Sequence, residues 1–262
     1  MTRLHAGVIG ESIGGAWLAA VRHLRTHGNE EFDLVVTIGD PTPAPGDRAI
    51  VGALDALLER KGWQRVATVA NTIFPAALAA TSRDRDHFYV RYRALLPRLR
   101  KQAKNRRGIY FERLIDYPLQ ADPARSNQVE TIIQTLRSQL ARRALRQGPL
   151  GSVYEAQIFA PGKDLLPRGF PCLSSLSFQL DGGQLRLSAT YRNQYFIQRA
   201  LGNYLGLAHL QRFVAEAAGL APGPLTVHAF HAYLDLGRRE TDALLRDCDT
   251  GGRVLPEGRR AA

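Results

Sequence analysis

The hydrophobic positions along the chain follow two spacings. Apolar residues three to four positions apart predict helices over 16–27, 47–61, 88–104, 128–146 and 202–218. Short apolar and β-branched runs predict strands over 32–38, 153–159, 173–180, 185–191 and 225–233. Helices and strands are interspersed without a repeat or a linker. The pattern therefore predicts one α/β (α+β) domain over 1–262, ending in a polar, mobile tail over 250–262.

Polar and glycine residues mark where several of these elements begin and end. Asp47 can cap the second helix, Gly219 would end the fifth, and the Asp-Gly-Gly sequence at 181–183 predicts a hairpin turn. A cluster of glycines near the N-terminus lacks the spacing of a dinucleotide-binding fingerprint, and no strand is predicted before it. Its members are Gly7, Gly10, Gly14 and Gly15.

Composition narrows the class of protein. Hydrophobic residues make up 45% of the chain, which is enough to bury a core, and no apolar run approaches the roughly 20 residues that span a bilayer. The N-terminus lacks the pattern of a signal peptide. The two cysteines make neither a disulfide framework nor a zinc spacing. We therefore expect a cytoplasmic protein that contains no metal and does not associate with membranes.

Positive charge is concentrated in one part of the chain. The net charge is +11, and the segment 83–113 holds eleven basic and three acidic residues, which accounts for +8 of it. Two interpretations stay open: the solvated face of an amphipathic helix, or a surface that binds phosphates. Arginine suits the second, because its planar guanidinium can donate two parallel hydrogen bonds to one phosphate.

Candidate chemistry centres on Cys172, which follows Pro171 and opens a predicted strand. A lone cysteine is usually inert, but three further polar groups follow it at defined intervals. Arg192 comes 20 residues later, Asn203 another 11, and a His-x-Tyr pair lies on a later strand at His231 and Tyr233. Each has a structural alternative; Asn203, for example, could simply cap its helix.

Together these residues resemble the thymidylate synthase family, which includes the pyrimidine nucleotide hydroxymethylases. The resemblance implies that Cys172 is the nucleophile and that Arg192 binds the nucleotide phosphate and supports the thiolate. It also implies that Asn203 contacts the pyrimidine edge and that His231 and Tyr233 hold the sugar hydroxyl. The intervals from the cysteine to the arginine and asparagine fit without a gap, whereas the interval to His231 is two residues shorter than in the family.

The resemblance extends upstream and is clearest over 108–235, with 1–107 divergent. Gly-Ile-Tyr at 108–110 is similar to a family segment that places its tyrosine, here Tyr110, near the nucleophile. The family also has arginines that cross a dimer interface to the partner's phosphate. An insertion over 147–152 leaves open which arginine corresponds here. The candidates are Arg142, Arg143 and Arg146.

The resemblance implies a thymidylate synthase-like single domain with a mixed β-sheet flanked by helices, and a homodimer with its sheets packed back to back. The implied activity transfers a methyl or hydroxymethyl group to C5 of a pyrimidine nucleoside monophosphate through a covalent Cys172–C6 adduct. The implied one-carbon donor is 5,10-methylenetetrahydrofolate. Because an asparagine amide can donate to O4 and accept from N3–H, Asn203 favours uracil over cytosine.

Three departures from the family concern the folate half of the site. Tyr195 stands where the family has the aspartate that contacts folate, and Leu173 replaces a histidine after the cysteine. Glu59 is the best candidate for the family's essential glutamate. These departures leave folate binding open.

Two other functions are consistent with the same residues. One is a nucleotide-binding homologue that has lost the transfer chemistry and acts as a sensor or regulator. The other is a nucleic-acid-binding protein that uses the basic segment 83–113.

Overall fold

The computed structural model describes residues 6–102, 105, 108–118, 126–144, 148–165, 169 and 171–251. Within them, helices flank one mixed β-sheet of seven strands, which confirms the predicted α/β class. In the same part of the chain, no helix has both the length and the apolar character needed to cross a membrane.

The strands of the sheet span Ala6–Gly10 (β1), Glu30–Ile38 (β2), Tyr154–Gln157 (β3), Leu173–Asp181 (β4), Gln184–Tyr191 (β5), Gln194–Tyr195 (β6) and Ala221–Tyr233 (β7). Their order in the sheet is β1-β2-β7-β5-β4-β3, with β6 added beside β7. The pairs β1–β2, β5–β7 and β6–β7 are parallel, and the others are antiparallel.

The long helices are α1, α2, α5, α7, α9 and α10, and a π-helical turn over Phe196–Ala200 leads directly into α9. The helices span Ile13–Thr26 (α1), Asp47–Arg60 (α2), Val66–Ile73 (α3), Ala76–Ala80 (α4), Arg85–Leu99 (α5), Tyr110–Ile115 (α6), Gln128–Ala144 (α7), Pro161–Asp164 (α8), Leu201–Ala218 (α9) and Arg238–Gly251 (α10).

One face of the sheet forms the core. Alternate residues of the central strands are buried, as the period-two pattern requires, for example Leu34 and Val36 in β2 and Leu225 and Val227 in β7. Trp17 of α1 is fully buried, and its indole N–H donates to the backbone oxygen of Phe196 at 2.8 Å. The opposite face carries partly exposed side chains.

Helices α3 and α9 approach each other closely at two glycines. A Cβ built on Gly202 would lie 2.6 Å from Cβ of Val69, and one on Gly206 would lie 2.6 Å from the carbonyl oxygen of Ala70. Only glycine therefore allows this separation of the two helices. The contact matters for function, because α9 carries Asn203 between these glycines.

Asp47 has a different role from the predicted one. It is the first residue of α2, but its side chain makes no cap there. Instead, its Oδ1 accepts from Ser12 Oγ at 2.7 Å and from the N–H of Gly14 at 2.9 Å. The carboxylate thus caps α1 from 33 residues away, a long-range contact that local spacing does not indicate.

The N-terminal glycine cluster does include a strand, contrary to the prediction: Gly7 and Gly10 lie in it, and Gly14 and Gly15 follow it. Ala6–Gly10 forms β1 and pairs in parallel with β2, although it has only five residues. A Cβ on Gly10 would lie 2.5 Å from the backbone of Ala16, so this glycine permits α1 to pack close to the strand. The spacing still differs from a dinucleotide-binding fingerprint.

The C-terminal part of the described chain was also predicted wrongly. The polar sequence Arg-Asp-Cys-Asp at 246–249 predicts a turn with an exposed Cys248. These residues instead belong to α10, and Cys248 is only 3% exposed. Of the tail expected to be mobile, residues 252–262 lie outside the described residues.

The helix predicted over 88–104 ends earlier than expected. It ends at Leu99, two residues after Pro97.

The α3–α9 contact gives a stability prediction. Gly206→Ala should lower the free energy of unfolding by about 1–3 kcal/mol, because the added methyl group overlaps the backbone of α3. Gly52→Ala in α2 is the matched control. A Cβ there meets nothing within 4 Å, so the substitution should stabilise the protein by about 0.4–1 kcal/mol. Urea unfolding of both variants measures the difference, and equal midpoints would contradict the proposed overlap.

Candidate active site

A cavity of about 320 Å³ opens at the end of the sheet where β4 begins and β5 ends. Its lining includes three residues that the sequence placed in the site: Tyr110, Cys172 and Asn203. The other polar lining residues include Gln64, Asn105, Arg113, Asn193, Gln194 and Arg199. Antiparallel pairing of β4 and β5 also brings Arg192 next to Cys172 at this end of the sheet, although Arg192 is not among the lining residues.

Arg192 is fixed against the turn that carries the cysteine. Its backbone N–H donates to the carbonyl oxygen of Cys172 at 2.9 Å, and its Nε donates to the carbonyl oxygen of Pro171 at 3.3 Å. Burial raises the pKa of the Cys172 thiol, while the positive charges of Arg192 and Arg199 act in the opposite direction. Burial is the larger effect, so the pKa lies above its usual value.

Tyr110 begins α6 on the wall beside the thiol. Burial raises its pKa to about 12, with a further contribution from Cys172, while backbone hydrogen bonds from Leu173 and Cys172 and the charge of Arg199 oppose the rise. The phenol therefore keeps its proton at neutral pH and can donate a hydrogen bond into the cavity.

Asn203 lies in α9 and is 4% exposed. The helical path begins earlier, at the π-helical turn, and Asp235 caps that turn by accepting from the N–H groups of Ile197 at 2.8 Å and Gln198 at 3.1 Å. The start of this helical path is therefore capped by Asp235 and not by Asn203. The Asn203 side chain is left to line the cavity.

His231 and Tyr233 do not line the cavity, but each contacts a residue that does. His231 Nδ1 is 2.8 Å from Oδ1 of Asn193, and its Nε2 is 2.9 Å from Oε1 of Glu30. The ring of Tyr233 contacts Tyr195 edge-on, with centroids 4.9 Å apart. Asn193 and Tyr195 both line the cavity, so they connect the pair to it.

The structure does not bring Arg142 to this cavity. It is exposed in the last two turns of α7. The neighbouring Arg137 donates to Ala217 at the end of α9 farthest from Asn203. The side chain of Arg143 and the whole of Arg146 lie outside the described residues. A role for these arginines in phosphate binding stays a prediction that depends on a partner copy.

The sequence prediction missed Arg199 and Gln64. Arg199 lies in the π-helical turn four residues before Asn203, and its Nη1 donates to Oε1 of Gln64. Positions four apart share one face of a helix, and that spacing was the available indication for Arg199. Gln64 precedes α3, and only the α3–α9 contact brings it near.

Glu59 does not reach the cavity. It is exposed on α2, and it is not part of the lining. None of the described residues that line the cavity is a carboxylate. Within the same described ranges, no group of three or more His, Cys, Asp or Glu side chains is arranged to hold a metal ion.

Comparison with known proteins gave one informative relative. The chain is 37% identical over 110 residues to a protein of Methanopyrus kandleri named "Putative thymidylate synthase". The resemblance to the thymidylate synthase family is confirmed. The match covers 41% of this chain and 48% of the relative, so it spans about half the relative's length. No family model matches the chain.

A buried ion pair supports one side of this cavity. Arg113 and Asp164 are each 3% exposed, and Arg113 Nη2 donates to Asp164 Oδ1 at 2.9 Å. Asp164 also accepts from the N–H of Ala160 at 2.9 Å, while Arg113 donates to the carbonyl oxygen of Ile158 at 2.9 Å. The pair joins α6 to the segment that follows β3.

Many basic side chains of the segment 83–113 form ion pairs or hydrogen bonds within the chain. Eight of its eleven basic residues lie in the described part of the chain, and six of these eight form ion pairs or donate to backbone carbonyl oxygens, which favours a structural role over a nucleic-acid surface. The six are Arg83, Arg85, Arg91, Arg93, Arg100 and Arg113. Nucleic-acid binding stays a prediction that none of these contacts favours.

The buried pair gives a second prediction. Asp164→Asn should destabilise the protein by about 3–5 kcal/mol, because the substitution leaves a buried guanidinium without its counter-charge. Asp181→Asn is the control. It removes an exposed partner of Arg186, so it should cost about 0–1 kcal/mol. Denaturant unfolding at neutral pH measures both effects.

The destabilisation should depend on pH. Burial opposes ionisation of Asp164, but hydrogen bonds from Arg113 and Ala160 outweigh it and hold the pKa of this carboxyl below its usual value. A lowered pKa in the folded state contributes stability above the unfolded pKa, and this stability is lost as the pH falls through the folded pKa. The gap between wild type and Asp164→Asn should therefore shrink in acid. A pH-independent gap would contradict the assignment.

Proposed function

We propose that this protein transfers a one-carbon unit, methyl or hydroxymethyl, to C5 of a pyrimidine nucleoside monophosphate through a covalent adduct of Cys172. The observation that carries the proposal is the meeting of Cys172, Tyr110 and Asn203 in one cavity, with Arg192 held on the cysteine's turn. The name of the Methanopyrus relative supports the same chemistry.

The proposed reaction begins with addition of the Cys172 thiolate to C6 of the base. The C5–C6 double bond breaks, and its electron pair moves towards C5 and O4, which makes C5 a carbon nucleophile. The Asn203 amide would donate to the charge developing on O4 and accept from N3–H, which suits uracil. C5 then bonds to the electrophilic carbon of a one-carbon donor, and the electron pair of the bond broken in the donor leaves with the donor. The C5 proton is lost, the C5–C6 double bond forms again, and Sγ leaves C6 as the thiolate. A unit at the oxidation level of formaldehyde gives hydroxymethyl directly, whereas methyl requires a two-electron reductant as a further reactant.

The remaining substrate contacts are proposed for residues next to the cavity lining. Arg192 would bind the phosphate, since a guanidinium matches a phosphate with two parallel hydrogen bonds. His231 and Tyr233 would hold the sugar, and His231 contacts the lining residue Asn193. Tyr110 keeps its proton, so its hydroxyl offers a donor on the wall beside the thiol.

The residues present do not fit 5,10-methylenetetrahydrofolate, the one-carbon donor that the family implies. The pterin edge of a folate presents N–H donors and needs an acceptor such as a carboxylate. The cavity offers Tyr195 at that position in the sequence, and no carboxylate among its described lining. Gln194 Nε2 is buried without a partner among the described residues, but it is a donor and so does not supply the missing acceptor. We therefore derive no step through folate.

The same mismatch favours a second candidate function. A homologue that binds the nucleotide without transferring a group would need Cys172 and Arg192 only as parts of a binding site. It would serve as a sensor or regulator. Binding and chemistry separate the two candidates.

Release of tritium from a C5-labelled nucleotide tests the transfer proposal. We expect release with a uracil nucleotide and loss of release in Cys172→Ser, because addition to C6 labilises the C5 hydrogen. Cys248→Ala is the matched control. That cysteine is buried in α10, remote from the site in sequence, and the variant should retain release.

The nucleotides to compare are dUMP, UMP, dCMP and CMP, each with and without methylenetetrahydrofolate. Thermal stabilisation by a nucleotide without tritium release would establish the binding homologue in place of the enzyme. Neither release nor stabilisation with any of the four would overturn both candidates.

We also propose that the protein is a homodimer that packs through the face of the sheet opposite the core. Central positions of that face carry small polar side chains, Ser188 of β5 and Thr226 of β7, which are adjacent in the sheet and only half-buried. At the β1 edge of the sheet, Ile9 is 77% exposed. A second copy would cover this surface, and it could then supply Arg142, Arg143 or Arg146 to the neighbouring site.

Sedimentation equilibrium tests the dimer. Wild type should have twice the 29.0 kDa mass of the chain. Ser188→Arg should yield the monomer, because a charged side chain at the centre of a packed face is costly to bury. Ser138→Arg, on the exposed surface of α7, should leave the dimer intact. A dimeric Ser188→Arg variant would exclude this face as the interface.

A further inference from the structure

Two arginines from different elements act on the same thiol. Arg192 follows β5, and Arg199 lies in the π-helical turn before α9. Both charges oppose the rise in the pKa of Cys172 that burial causes. Arg199 and Cys172 also line the same cavity, so both side chains border one space.

Gln64 determines where the guanidinium of Arg199 lies. Its Oε1 accepts from Nη1 of Arg199, and it also lines the cavity. An amide oxygen orients a guanidinium without neutralising it, whereas a carboxylate at the same position would cancel its charge at the thiol. None of the described lining residues is a carboxylate, so the positive charge is preserved within the cavity.

The other titratable groups around the thiol do not supply this charge. Tyr110 of α6 and Tyr191 of β5 both interact with Cys172, and burial raises the pKa of each phenol above its usual value. Both phenols therefore stay neutral when the thiol ionises. Among the described groups that act on Cys172, the two arginines are the cations.

We propose that Arg199 is a second cation that stabilises the Cys172 thiolate and that Gln64 is the residue that positions it. The inference rests on the proposed function for its purpose, because a nucleophile that adds to a pyrimidine must be a thiolate. The physical need is local, since desolvation disfavours the ionised form of the half-buried thiol and the two arginine charges offset part of that effect.

Alkylation of Cys172 by iodoacetamide tests the inference without any nucleotide. The measurement is the rate as a function of pH, in a Cys248→Ala background that leaves one thiol. Arg199→Met should slow alkylation about three- to tenfold at neutral pH, and the rate should rise only at more alkaline pH. Arg199→Lys keeps the charge and should restore most of the rate.

Two further variants keep the test decisive. Gln64→Glu leaves Arg199 in place but adds a carboxylate beside it, so it should slow alkylation at neutral pH even if Arg199→Met folds poorly. Arg212→Met removes the same charge from an exposed position on α9 and should leave the pH profile unchanged. Thermal melting of each variant checks that it folds.

Profiles of Arg199→Met and Gln64→Glu that superimpose on the background protein would overturn the inference. Slowing in Arg199→Lys as large as in Arg199→Met would overturn it too, because packing rather than charge would then be responsible. The outcome is separate from the transfer proposal. An intact arginine effect without tritium release would overturn only the transfer, and tritium release without an arginine effect would overturn only the role of Arg199.

Discussion

The close approach of α3 and α9 is the constraint on which the site depends. With no side chain at Gly202 and Gly206, α9 lies against the backbone of α3. This separation places Asn203 on a cavity wall and brings Gln64, just before α3, within reach of Arg199. The sheet positions the other side of the cavity, because Cys172 directly precedes β4 at the end of the sheet where the cavity opens.

A balance between burial and charge governs the chemistry of this cavity. Removing a thiol from water disfavours the thiolate, and nearby guanidinium groups favour it. The arginines of the chain fall into two groups, those paired with acidic residues and those whose charge acts on this thiol. Many arginines of the segment 83–113 are paired within the fold, for example Arg85 with Glu130, whereas the charges of Arg192 and Arg199 act to lower the pKa of the Cys172 thiol. Net charge alone does not distinguish the two groups.

The grouping of Cys172, Tyr110 and Asn203 on one cavity could be predicted, because these residues lie at fixed intervals on or next to regular elements. A glutamate for the same site could not be predicted in this way. Glu59 was chosen from a helix whose orientation the sequence leaves undefined, and that helix turns the residue towards solvent.

The sequence by itself determined the α/β class, most of the elements and the chemical groups of the proposed nucleophile site, because hydrophobic periodicity and short intervals are local properties. Only the tertiary structure decided which distant residues meet. Asp47 caps α1 instead of its own helix, Cys248 is buried instead of exposed, and Gln64 holds Arg199 across 135 positions of sequence. These contacts follow from how the helices pack on the sheet, and packing depends on side-chain volumes contributed by the whole chain.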